Sequence, residues 1–165
     1  MGEFAETVRD HIRDSLAERL PRFDWETEHR IGRTPVDVVG RTDDHFVAVE
    51  LEWRRADPVN NTAKLFYYVD SGDLEGYDRI SVVQVFTGYY ELASGGVSSK
   101  REIAEFVGNV TADSFEHVSF APVTFGLEPP KRGDEWPDGW ETVANGTIRE
   151  IVGEVHGDAP RVGEE

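Results

Sequence analysis

The stretch TPVDVVGRTDDHFVAVELEW, Thr34 to Trp53, decides the fold. Pro35–Val39 reads as a short strand, Gly40–Asp44 as a turn, and His45–Trp53 as a second strand. Side chains alternate along a strand, so Val47, Val49, Leu51 and Trp53 share one face and Phe46, Ala48, Glu50 and Glu52 the other. Two carboxylates on a face that also carries Phe46 and Ala48 repel each other and are costly to desolvate. A bound cation removes that cost. Asp37 precedes Glu50 by 13 residues, and a tight turn between the strands brings it beside Glu50 or Glu52. Asp37, Glu50 and Glu52 together predict a hard oxygen site for Mg²⁺ or Mn²⁺, one able to polarise a phosphodiester and activate water.

Upstream, Phe4, Val8, Ile12, Leu16 and Leu20 recur every four residues, which predicts a helix over 2–20 ended by Pro21. Residues 23–31 then alternate, which predicts a strand with Phe23, Trp25, Thr27, His29 and Ile31 on one face. Downstream, Asp57-Pro58 is a helix start, with Asp57 as N-cap and the helix running to about Asp70. RISVVQVFT (Arg79–Thr87) suits a strand covered on both faces. A Gly- and Ser-rich loop over 88–98 follows. Ser99-Lys-Arg-Glu102 reads as a capping box opening a helix through Val110. A strand over His117–Phe125, an irregular loop over 128–139 and a helix over Trp140–Val155 complete the order α-β-β-β-α-β-α-β-α. The expectation is an α/β (α+β) fold: a mixed sheet flanked by helices, with the first three strands as an antiparallel meander and the next joined by a crossover. Residues 1–155 form a single domain and 156–165 a frayed tail.

The chain has 165 residues with 33 acids against 17 bases, a net charge of −16, and only three lysines, Lys64, Lys100 and Lys131. It has no cysteine, which excludes disulfide scaffolds, thiol catalysis and Cys-ligated metal sites. Apolar residues still make up 38%, so the chain is not a disordered polyacid. No apolar run of transmembrane length and no basic-then-apolar leader is present, so a cytoplasmic protein with no membrane partner is expected. An acidic, lysine-poor surface over an ordinary core is the pattern of halophilic proteins. At about 1 M salt the Debye length is ~3 Å and self-repulsion is screened. The expected result is a thermal midpoint that falls as KCl is lowered, with unfolding in about 10 mM buffer, where the Debye length is ~30 Å. Full stability in that buffer, followed by circular dichroism, contradicts it.

Pro35-Val36-Asp37, the turn, Glu50-Leu51-Glu52 and the element order α-β-β-β-α-β resemble the PD-(D/E)XK nuclease superfamily, whose members include restriction endonucleases. The resemblance covers residues 2–87. It implies a restriction-endonuclease-like fold and a Mg²⁺- or Mn²⁺-dependent DNA endonuclease, with Asp37, Glu50 and Glu52 as metal ligands. DNA is the implied partner, bound by one copy or by a homodimer. Glu52 stands where that family usually has Lys, a substitution also found among lysine-less type II restriction enzymes. Either Glu52 is a third ligand or the site has decayed. Lys64, two turns into the next helix, is the candidate for the displaced cation, and Glu6 or Glu18 of the first helix for a further acid. Arg54 and Arg55 lie where they can hold phosphates. Two other classes remain open: a catalytically inactive binding or accessory module of the same fold, and a salt-adapted acidic interaction domain. No P-loop and no Gly-x-Ser-x-Gly elbow is present.

Overall fold

A computed structural model describes residues 2–157. The elements run α1 (Glu3–Arg19), β1 (Asp24–Ile31), β2 (Thr34–Arg41), β3 (His45–Glu52), α2 (Pro58–Asp70), β4 (Arg79–Thr87), α3 (Ser99–Asp113), β5 (Val118–Phe125) and α4 (Trp140–Gly157), with a single 3₁₀ turn at Gly88–Tyr90. The fold is α+β. One five-stranded mixed sheet, in spatial order β1-β2-β3-β4-β5, is flanked by the four helices. β1, β2 and β3 form the antiparallel meander, while β4 lies parallel to β3 and β5 parallel to β4. Among the described residues no helix is long and apolar enough to cross a membrane.

Two apolar layers follow from the alternation. Phe4, Val8, Ile12 and Leu16 of α1 and Ala144, Ile148, Ile151 and Val155 of α4 bury against Val47, Val49, Leu51, Val83 and Val85. On the opposite face Leu65 and Phe66 of α2 and Ala112 of α3 bury against Phe46, Ala48, Ile80 and Val82. β4 serves both layers, so eight of its nine residues are buried and only Arg79 is partly open. Gly40 pairs with Trp25 across β1 and β2. A Cβ on Gly40 would meet the Trp25 ring at 2.6 Å, and the indole N–H is held by the Leu20 carbonyl at 3.2 Å. Gly40→Ala is therefore expected to cost about 1–3 kcal/mol in urea unfolding, the scale of overpacking a full core. A variant as stable as the parent means the ring moves freely.

The alternation expected for β1 breaks in the middle. Trp25 packs with the α1–α4 layer, but Ile31 belongs to the α2–α3 layer and His29 lies 6.1 Å from the Phe46 ring on that side. The cause is Glu28, whose φ of 54° is left-handed, a conformation costing a non-glycine residue about 1–2 kcal/mol. Its carboxylate is held by Arg9 of α1 at 3.1 Å. β2 flips at the matching place: Val38 faces α1 and α4, whereas Val36 and Val39 face α2 and α3. Asp37 sits in that flip. Two local expectations also change. α3 starts after Ser98 rather than Ser99, and its N-cap side chain makes no capping bond, so the box does not form. Asp57 takes the N-cap position of α2 but likewise makes no side-chain cap. α4 continues to Gly157, so residues 156 and 157 are helical rather than tail, and residues 158–165 lie outside those described.

Candidate functional site

The ladder between β2 and β3 ends at Val38 opposite Val49. One step further, Asp37 and Glu50 replace it. The Asp37 Oδ2 accepts the Leu51 backbone N–H at 2.7 Å, so a side chain takes over where the backbone pairing stops. The strands part here at the C-terminal ends of parallel β3 and β4, where open α/β sheets place their ligand crevices. α2 begins at the same end, since Pro58 follows the last β3 residue by six positions.

Glu50 is only 5% exposed and Asp37 is half-buried. Burial pushes the Glu50 carboxyl well above its usual range; the neighbouring Asp37 charge, a hydrogen bond to Asp37 and the Glu52 charge push the same way, and Arg55 opposes them. These causes favour the protonated form of the Glu50 carboxyl beside Asp37. A shared proton is how a carboxylate pair avoids two adjacent charges. A divalent cation can take that proton's place, with hard oxygen ligands already juxtaposed.

Glu52 is fully buried and differently held. Its Oε1 accepts from Asn61 Nδ2 at 2.9 Å and from Gln84 Nε2 at 3.0 Å. Gln84 is fixed in turn by Thr62 Oγ1, which donates to its Oε1 at 2.8 Å, and by the Pro58 carbonyl at 3.2 Å. The second Glu52 oxygen is buried with no hydrogen-bond partner among the described residues. Burial raises the Glu52 pKa, while the two amides and Arg55 lower it. Tyr90, also buried, donates to the Arg55 carbonyl at 2.9 Å.

Asp37, Glu50 and Glu52 therefore meet at one end of the sheet, but not as an open trio. Among the described residues no three His, Asp or Glu side chains form a ready metal-ion cluster. The geometry is a carboxyl pair, Asp37 and Glu50, with Glu52 on the same strand face clasped by amides. The donor chemistry fits a hard cation at the pair, and the second Glu52 oxygen stays buried without a partner among the described residues. Lys64 is exposed and lines a different concavity with Arg33, Thr34, Tyr67 and Tyr68. Glu6 and Glu18 are exposed on α1, whose buried face lies against the other layer. The cation that acts on Glu50 and Glu52 is Arg55, which also donates to Asn61 Oδ1 at 3.3 Å. Arg54 is held elsewhere, by the Pro129 carbonyl and by Glu128.

Asn61, Thr62 and Gln84 were not foreseen. One sequence signal did point to Gln84: it is the single amide in RISVVQVFT, a strand otherwise fit for burial on both faces. Asn61 carries no such mark, because one polar residue per helical turn is ordinary. No protein-family model matches the chain, and no curated protein is similar to it in sequence.

Proposed function

We propose that the protein is a metal-dependent DNA phosphodiesterase of PD-(D/E)XK type. The observation that carries the reading is the Asp37–Glu50 pair, a buried carboxyl and its partner placed where the β2–β3 ladder splits. The element order and the mixed sheet agree with that resemblance. Asp37 and Glu50 would hold Mg²⁺ or Mn²⁺, with Glu52 as the third oxygen ligand. Bound there, the ion would supply an activated water and stabilise charge on the scissile phosphate. Loss of the Glu50 proton would leave both carboxylates free to hold the ion. Arg55 contributes positive charge at the same mouth, the part a lysine plays in the resembling family, and DNA is the proposed substrate.

A second reading has its own observation. The clasp of Asn61 and Gln84 on Glu52 gives the charge two donors inside the fold, as expected of a site that keeps the fold for binding and has lost turnover. Two measurements separate the readings. Mg²⁺ or Mn²⁺ should raise the melting temperature under both. Only the first gives cleavage of plasmid or single-stranded DNA. Stability that responds to monovalent salt alone removes both and leaves a salt-adapted interaction domain.

A further inference from the structure

Past the C-terminal end of β3, on the α1 face of the sheet, lies a cleft of about 940 Å³ lined by Phe4, Trp53 and Trp136 together with Arg54, Lys131 and Arg132. Trp53 and Arg54 follow Glu52 directly in sequence, but Trp53 packs on the α1–α4 face whereas Glu52 is held on the α2 face. We propose that this cleft binds a single-stranded nucleic-acid segment, with Trp136 stacking a base and Lys131 and Arg132 taking its phosphates. The proposal rests on the phosphodiesterase reading for the choice of nucleic acid, and on the cleft's own chemistry for the rest.

Three features point to that ligand. First, the aromatic wall is rigid and open. Trp136 packs edge-to-face on Phe4 at 5.4 Å and on Trp140 at 6.3 Å, and Phe4 packs the same way on Trp53 at 5.9 Å. Those contacts fix the Trp136 ring by its surroundings while 38% of the residue stays exposed. A fixed, half-open indole is a stacking platform, and base–aromatic stacking is worth about 1–3 kcal/mol per base. Second, the Trp53 indole N–H is buried without a hydrogen-bond partner among the described residues. A buried donor left unmade is costly, and a ligand oxygen or ring nitrogen reaching it after a shift of the ring would satisfy it. Third, the lining carries three cations, Arg54, Lys131 and Arg132, against two acids, Glu3 and Asp134, in a chain of net charge −16. Two of these bases come from the loop over 128–139, which also delivers Trp136. The lining residues thus carry one net positive charge in an otherwise acidic chain. A duplex hides its base faces in the stack, so an aromatic platform favours a single strand. In the salt that the acidic surface calls for, phosphate contacts weaken while stacking persists.

The test uses the full chain in EDTA, at a KCl concentration where it is folded. Its probe is a labelled oligothymidylate of about 12 nucleotides, within the footprint of known single-strand grooves. The expected result is tighter binding of the single strand than of a duplex of equal length, with quenching of tryptophan emission. Trp136→Ala should weaken binding about tenfold. Lys131→Gln with Arg132→Gln, both at exposed positions, should flatten the salt dependence by about 1.4 in log–log slope, ~0.7 for each lost phosphate contact. Each variant should keep the Mn²⁺-induced thermal shift of the parent. Oligonucleotide binding unchanged in both variants, or a preference for duplex, overturns the cleft and leaves the carboxylate site untouched. Binding that follows the expectation in a protein with no metal response and no cleavage keeps the cleft and removes the phosphodiesterase reading.

Discussion

Glu50→Gln should abolish metal-dependent cleavage, by about 10²-fold or more, while making the metal-free protein more stable at neutral pH. Even outer partners of a metal ligand typically cost 10–100-fold when removed, so loss of a ligand sets the lower bound. The stability effect runs the other way because of protonation. The folded protein holds the Glu50 carboxyl well above its usual 4.5, first by burial and then by the Asp37 charge. A raised acid favours the folded state at low pH and loses that contribution as pH climbs through the raised value. A tenfold change in proton affinity is worth about 1.4 kcal/mol. Gln is neutral throughout and can still donate to Asp37, so the variant should lack the loss of stability that the parent suffers as pH rises from about 4.5. Adding Mg²⁺ or Mn²⁺ should reverse the ranking, because only the parent can exchange its proton for the ion. The metal-induced shift of the parent should therefore grow as protons become scarcer. Melting curves from pH 5 to 8, with and without metal, read all of this on one pair of proteins. Equal metal-induced shifts in parent and variant mean that Glu50 is no ligand.

The fold was largely legible because its elements are periodic. Phe4, Val8, Ile12 and Leu16 give α1, the apolar run of Arg79–Thr87 gives β4, and Asp57-Pro58 marks the start of α2, each to within a residue of where it lies. The limit came where the backbone departs from the period. Glu28 adopts a left-handed conformation that no residue type announces, since Glu is an unremarkable strand residue on the exposed side. That one torsion sends Trp25 and Ile31 into opposite layers, and with the flip in β2 it frames the position of Asp37. Asp37 and Glu50 were visible as a pair because a short turn between antiparallel strands fixes their register. The partners of Glu52 were not, because Asn61 and Gln84 reach it through the packing of α2 on the sheet, a long-range event with no local spacing. The position of Lys64 depends on the same packing. Counting turns along α2 places it near the site, but the rotation of the helix is set by burying Leu65 and Phe66, which leaves Lys64 in solvent.

That rotation makes the location of the cation a decisive second test. Arg55→Gln should lower metal-dependent cleavage about 10- to 100-fold, the range seen when a group supporting metal ligands is removed, and Lys64→Gln should leave it unchanged. Arg55 is the charge that opposes protonation of both Glu50 and Glu52. Its loss should raise both carboxyls further, so the rising limb of the pH–rate profile should move to higher pH. A residue that only supports the fold changes the height of that profile without moving it along the pH axis. Arg55 also reaches Glu52 through Asn61, whose Oδ1 accepts from the guanidinium and whose Nδ2 donates to the carboxylate. Arg55→Lys keeps the charge and gives up the planar fork. It should restore the position of the pH limb while recovering only part of the rate. Arg55 is exposed, so none of these variants opens a cavity, and unchanged melting curves in the absence of metal should accompany them. If Lys64→Gln removes cleavage and Arg55→Gln does not, the working cation arrives from α2 after a rearrangement of that helix. The placement of positive charge at the mouth of the site would then have to be redrawn around Lys64.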